Sequence, residues 1–224
     1  MSLWSEYRAS LKAVDVEEPI DLVLHRPLAF GVAKLSLPTP LTPNHLTGIS
    51  IVLGVTGGVL LMVGALWSQL AGAALLFLSQ VVDCSDGMLA RMRKSSSDLG
   101  RMLDGVADMF VLLTGSLGSI VVMARLYPSP WYVPVAITAL SIATMHTSSF
   151  HTTAYDHYKN VYLRMIVPGT RDEEDLEGAL LRKERADAAR PGLITRVAFF
   201  TYIGYLKNQR RFFEWFDPAM VTRA

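Results

Sequence analysis

Residues 83–108 read DCSDGMLARMRKSSSDLGRMLDGVAD, and the sequence on both sides of them is uncharged over long stretches. Four of the five aspartates in this segment form two pairs, Asp83 with Asp86 and Asp104 with Asp108. Spacings of three and four residues put side chains on one face of a helix. The segment therefore predicts an acidic face on each of two successive helices.

A cluster of four carboxylates needs compensating cations. Two unit charges about 4 Å apart interact by roughly 4 kcal/mol at an effective dielectric of 20, which is a large repulsion for like charges. Hard divalent ions prefer oxygen ligands, and Mg²⁺ commonly keeps coordination positions for substrate phosphates. The pattern therefore predicts a metal-dependent site for phosphoryl chemistry.

The segment resembles the signature of the CDP-alcohol phosphotransferase family, D-x2-D-G-x2-A-R-x8-G-x3-D-x3-D. All eight specified positions match: Asp83, Asp86, Gly87, Ala90, Arg91, Gly100, Asp104 and Asp108. The competing interpretation is a solvated charged face. Such a face would not require the two glycines and the alanine, and it would not lie between uncharged segments of membrane length.

The composition is that of an integral membrane protein. Of 224 residues 51% are hydrophobic and only 18% are charged, with a mean hydropathy of +0.31. The net charge of +1 gives no reason to expect a nucleic-acid partner. Cys84 is the only cysteine, so the sequence has neither a disulfide framework nor a cysteine metal site.

Four segments are suited to crossing a bilayer as helices. The first, 46–67, has 22 residues without a charge and would be about 33 Å long. The others are 70–82, which continues through the signature to about Lys94, then 109–124, and 131–150 with an extension towards Arg164. Only helices and closed barrels satisfy the backbone in lipid, so we expect an all-α transmembrane bundle.

The sequence outside these spans is more polar. We divide the chain into an interfacial segment, 1–43, a catalytic bundle, 44–166, and a charged loop with an amphipathic helix, 167–224. Residues 20–37 predict an N-terminal amphipathic helix at the membrane interface, and residues 193–216 predict a second interfacial helix. The resembling family has a core of six spans, against four here. Two explanations of this difference stay open: the sequence stops before the last two spans, or its final segment is unusual.

Basic residues are concentrated between spans two and three, after span four and before span one. By the positive-inside rule, this bias puts the N-terminus and the aspartates on the cytoplasmic side of a membrane of the bacterial inner-membrane type. We also expect a homodimer.

The resemblance implies a role for each signature position. It assigns two metal ions, Mg²⁺ or Mn²⁺, to Asp83, Asp86, Asp104 and Asp108, and the general base to Asp108. It places the nucleotide against Asp83, Gly87, Ala90, Arg91, Gly100, Asn44 and Thr47. Polar residues recur at helical spacing on span four, and Lys159 or Arg164 among them could bind a phosphate of the acceptor. Hydrogen bonding between helices explains the same polar residues equally well.

The resemblance further implies a reaction in which a hydroxyl attacks the β-phosphorus of a CDP-linked alcohol and CMP leaves. We expect a CDP-diacylglycerol donor in phospholipid biosynthesis and a small polar acceptor of the inositol or inositol-phosphate type. The alternative within the family is transfer from CDP-choline or CDP-ethanolamine to a lipid alcohol.

Two other classes also place acids in a membrane bundle. Membrane prenyltransferases use tighter aspartate-rich runs on separate helices, and the contiguous signature argues against them. A divalent-cation transporter would not require Arg91 or the glycines, and the sequence has no pair of broken helices.

Overall fold

The computed structural model describes residues 3–11, 18–95, 98–166, 176–188 and 192–216. Within these ranges the chain is almost entirely helical and has no strand. A π-helical turn, Asp21–His25, leads directly into the second helix. The α-helices are α1 Leu3–Ser10, α2 Arg26–Ser36, α3 Pro43–Val63, α4 Leu66–Arg93, α5 Asp98–Leu126, α6 Tyr132–Ile166, α7 Leu176–Ala188 and α8 Leu193–Phe216.

Four of the described helices are long and apolar enough to cross a membrane. They are Pro43–Val63, Leu66–Arg93, Met102–Leu126 and Tyr132–Tyr155. The prediction of an all-α membrane bundle with four spans is therefore confirmed for the part of the chain that the structure describes. The second span ends as predicted, because Lys94 closes α4 in the left-handed region at φ 53°.

The ends of α3 are set by local sequence. Thr42 is the N-cap: its Oγ1 accepts from the His45 backbone N–H at 3.3 Å, and its own N–H donates to His45 Nδ1 at 3.2 Å. Pro43 follows at the first helical position, where no backbone donor is needed. Gly64 ends the helix at φ 82°, a conformation that glycine adopts without strain.

Glycines bring α3 close to both neighbouring spans. A methyl group added to Gly57 would lie 2.8 Å from the Gly72 carbonyl oxygen of α4. One added to Gly58 would lie 2.6 Å from the backbone of Thr114 in α5. Small residues allow this kind of close helix contact in membranes. As a result α3 packs along both α4 and α5, which contact each other little.

The segment before α3 forms a small core against the end of α4. Ala29 and Ala33 of α2 are fully buried, and they pack in one cluster with Met88 and Leu89 of α4. The predicted amphipathic helix at 20–37 is present as the π-helical turn followed by α2. Its placement at a membrane interface stays a prediction.

The chain forms two compact units, Met1–Ile142 and Ala143–Ala224. In the second unit α7 packs on α8, and Phe212 of α8 stacks on Phe150 of α6 with 5.2 Å between ring centroids. The predicted C-terminal segment is one continuous helix, α8, and it does not meet the length and composition criteria for a span. The division at residues 43 and 166 stays a prediction.

Candidate active site

Three signature carboxylates converge where α4 ends and α5 begins. Asp83 and Asp86 of α4 and Asp104 of α5 each offer an oxygen, and these oxygens all lie within 4.8 Å of one another. Asp86 is buried, and the other two are half-buried. Hard divalent cations prefer ligands that are all oxygen atoms. These three carboxylates therefore fit the predicted divalent-metal site.

Asp108 is placed differently from the other three. It lies one helical turn beyond Asp104 on α5, its side chain is exposed, and it does not belong to the group of three converging oxygens. Its predicted roles as fourth ligand and as general base both stay predictions.

The first turns of α3 supply hydroxyl groups to this cluster. Thr47 is buried, and its Oγ1 donates to Asp86 Oδ2, with the Pro43 carbonyl as an alternative acceptor at 3.2 Å. Ser50 lies one turn further, with its Oγ 2.8 Å from the Thr47 carbonyl and 3.4 Å from Asp83 Oδ1. The predicted nucleotide residue Thr47 thus contacts a predicted metal ligand. Its contact with nucleotide stays a prediction.

Sequence reasoning missed Ser50, although a signal was present. Asn44, Thr47 and Ser50 recur every three residues, which puts them near one face of the first turns of α3. Asn44 is exposed at the start of that face. Its predicted contact with nucleotide is not tested.

Arg91 lies over Gly87 and reaches the end of α1. Its Nε donates to the Ser10 carbonyl at 2.6 Å. A methyl group added to Gly87 would have Arg91 Nη1 as its nearest neighbour, 3.4 Å away, so the helix surface at Gly87 is bordered by a guanidinium. Ala90 and Gly100 are half-buried. The arrangement offers a small-residue surface beside a cation, which suits a nucleotide phosphate.

The two candidate acceptor residues are on α6. Lys159 has its Nζ 5.4 Å from the centroid of the Tyr155 ring, a cation–π contact. The Arg164 side chain lies outside the described side chains. The acceptor role of both residues stays a prediction.

A sequence model of the CDP-alcohol phosphatidyltransferase family matches residues 40–166, which is more than half of the chain. The chain belongs to this family. The match begins just before α3 and ends at the last residue of α6, so it contains all four spans and the whole signature.

Several relatives resemble parts of the chain. A bifunctional IPC transferase and DIPP synthase of Thermococcus kodakarensis is 32% identical over 154 residues, covering 67% of this chain and 34% of that protein. A protein of the same description from Rubrobacter xylanophilus is 40% identical over 72 residues, covering 32% of this chain and 16% of the relative. Cholinephosphotransferase 1 of Xenopus laevis is 35% identical over 92 residues, covering 38% of this chain and 23% of the relative. The matched regions thus span about a third or less of these relatives.

Family membership and the four apolar helices together establish an integral membrane protein. The resemblance inferred from the signature is confirmed.

Proposed function

We propose that the chain is a metal-dependent CDP-alcohol phosphotransferase, which transfers a substituted phosphate to a hydroxyl group and releases CMP. One observation carries the proposal: the carboxylate oxygens of Asp83, Asp86 and Asp104 lie within 4.8 Å of one another inside an intact family signature. Such a cluster, at the end of a membrane bundle, requires a cationic partner, and a metal with bound pyrophosphate meets that requirement.

In the proposed reaction the acceptor oxygen bonds to the β-phosphorus of the CDP-alcohol. The bond from this phosphorus to the oxygen bridging the two phosphates breaks, and CMP leaves with that oxygen. The proton of the acceptor hydroxyl passes to the Asp108 carboxylate. Asp108 suits this role because it is exposed and lies one turn from Asp104, outside the group of three.

The remaining signature residues would bind and orient the donor. Asp83, Asp86 and Asp104, with Asp108 as the fourth candidate, would hold two ions of Mg²⁺ or Mn²⁺. When bound, these ions would neutralise charge on the pyrophosphate and on the departing CMP. Gly87 and Ala90 would let the nucleotide lie on the helix, and Arg91 would hold a phosphate.

For the substrates we propose a CDP-diacylglycerol donor and an acceptor of the inositol or inositol-phosphate type. Two of the relatives are named as bifunctional IPC transferase and DIPP synthase, an inositol-type activity, which supports this choice of acceptor. The similarity to a cholinephosphotransferase supports a second candidate, transfer from CDP-choline to a lipid alcohol. A homodimer with its active site facing the cytoplasm is part of the same proposal.

CMP release by the purified full chain in lipid nanodiscs tests the proposal. Each CDP-alcohol would be offered with each acceptor, with and without Mg²⁺ or Mn²⁺. We expect CMP only when donor, acceptor and metal are all present. Cation flux into proteoliposomes without CMP release in any combination would favour the transporter alternative and overturn the proposal.

A further inference from the structure

Arg93 is the last residue of α4, two positions after the signature arginine, and it is bound to a different part of the chain. Its guanidinium donates to four backbone carbonyls, one at the last residue of α2 and three in the connection between α2 and α3. Nη2 donates to Ser36 at 3.0 Å, Leu37 at 3.0 Å and Thr39 at 2.8 Å, and Nη1 donates to Leu41. One side chain therefore binds most of the segment 36–41.

The connection has a particular need for such a donor. The sequence from Ser36, the last residue of α2, to Pro43, the first residue of α3, is SLPTPLTP, and the two prolines of the connection have no backbone N–H. The carbonyls at the end of α2 also carry the negative end of the helix dipole, where a cation is stabilising. A planar guanidinium can reach several carbonyls in fixed geometry, whereas a lysine ammonium binds as a single point charge.

The same connection leads directly into the active site. Leu41 precedes the N-cap Thr42 of α3, and Thr47 donates to Asp86 one turn into that helix. On α4, Asp86 and Arg93 are seven residues apart, about 10.5 Å along one face of the helix. The last turns of α4 thus hold the start of α3 at two points, one through Thr47 and the other through Leu41.

We infer that Arg93 is a positioning residue for the metal-binding carboxylates, an inference that rests on the proposed function. By fixing the connection before α3, Arg93 keeps the Thr47 hydroxyl on Asp86 and so keeps Asp86 oriented towards Asp83 and Asp104. Arg93 itself is not a catalytic residue, because it acts through Thr47.

The test compares Arg93→Lys, Thr47→Val and the double variant with wild type, and uses Lys94→Asn as the matched control. Lys94 is the neighbouring exposed cation, and asparagine tolerates its left-handed backbone. Binding of Mn²⁺ alone would be measured by calorimetry, amide hydrogen exchange would be followed over residues 37–47, and CMP release would be assayed in parallel.

We expect Arg93→Lys to weaken Mn²⁺ binding about tenfold, the lower end of the loss seen when a group that orients a metal ligand is changed. Exchange over 41–47 should become faster, while Lys94→Asn should match wild type in all three assays. Because Arg93 acts through Thr47, the double variant should lose much less than the product of the two single losses.

Independent, multiplicative losses in the double variant would overturn the inference, as would unchanged Mn²⁺ affinity in Arg93→Lys. If Arg93→Lys does not fold, Arg93→Gln keeps a planar donor group and is judged by the same criteria. A wild type that binds Mn²⁺ but releases no CMP would defeat the proposed reaction, while the Mn²⁺ series would still decide the role of Arg93. A wild type that binds no Mn²⁺ would overturn the inference.

Discussion

Two regions of α3 contact the neighbouring helices by different means. Near its start, Thr47 and Ser50 reach aspartates of α4 through hydroxyl groups. Further along, Gly57 and Gly58 bring backbone against backbone. The first kind of contact orients charged groups, and the second lets helices pack closely. Substitutions at the start of α3, or in the aspartates that it contacts, should therefore affect metal binding and turnover. Substitutions further along α3 should affect the stability of the fold.

The largest effect is expected for Asp86, whose carboxylate accepts a hydrogen bond from Thr47 of α3. Asp86→Asn keeps the size of the side chain but removes one negative charge from the cluster. We expect CMP release to fall by about a thousandfold, the upper end of the loss seen when a preorganised electrostatic contact at a reaction centre is removed. Mn²⁺ binding should weaken in calorimetry, and excess chelator should abolish wild-type turnover.

Asp187→Asn serves as the control for this substitution. Asp187 pairs with Lys183 on the surface of α7, at 2.7 Å, and its replacement should leave turnover unchanged. Full activity of Asp86→Asn, or of wild type in excess chelator, would rule out the proposed metal site.

Asp108→Asn should have the next largest effect, and it should separate rate from binding. Asp108 lies outside the group of three oxygens, so most of the predicted metal ligands remain in this variant. We expect turnover to fall by about 10²-fold, the lower end of the usual contribution of a general base. Calorimetry with a CDP-alcohol should show donor affinity close to wild type. A matching loss of affinity and rate would make Asp108 a ligand only.

Much of this architecture could be predicted from the sequence, because the deciding signals are local. Uncharged stretches of membrane length predict spans, and spacings of three and four predict shared helix faces. Asp83, Asp86 and Asp104 accordingly lie together as their spacing and the family signature indicated.

The contacts of Thr47, Arg91 and Arg93 could not be predicted in this way. Each joins segments far apart in sequence, and each depends on how α1, α2 and α3 pack on α4. In the sequence, Arg93 is simply one of several basic residues between spans two and three, where its charge adds to the orientation bias. Its bonds to the 36–41 carbonyls depend on the path of a proline-rich connection, which residue spacing does not encode.

Gly58→Ala should act on stability and little on chemistry. The added methyl would lie 2.6 Å from the Thr114 backbone, which cannot move without shifting α5. We expect a loss of about 1–3 kcal/mol in the free energy of unfolding, the usual range for overpacking. Gly48→Ala on the same helix is the control, because a methyl group added there has no described atom within 4 Å other than the backbone of its own helix. Thermal unfolding in detergent measures both, and equal midpoints would contradict the close packing of α3 on α5.

The smallest effect is expected for an alanine at Gly87. Among the described residues, and apart from the backbone of the same helix, the atoms within 4 Å of a methyl group there belong to the Arg91 guanidinium, the nearest at 3.4 Å. The guanidinium is the far end of a flexible side chain. Within the part of the chain that the structure describes, helix packing does not require a glycine at this position, whereas a nucleotide lying on the helix would. We expect Gly87→Ala to change turnover within about threefold and stability within roughly 0.5 kcal/mol, as for a tolerated surface substitution.

Gly87→Leu should keep the unfolding midpoint of the alanine variant but lose binding of the CDP-alcohol in calorimetry, because its bulk would occupy the proposed nucleotide surface. Wild-type donor affinity in Gly87→Leu would place the cytidine elsewhere. A large fall in its unfolding midpoint would make Gly87 a packing glycine like Gly58.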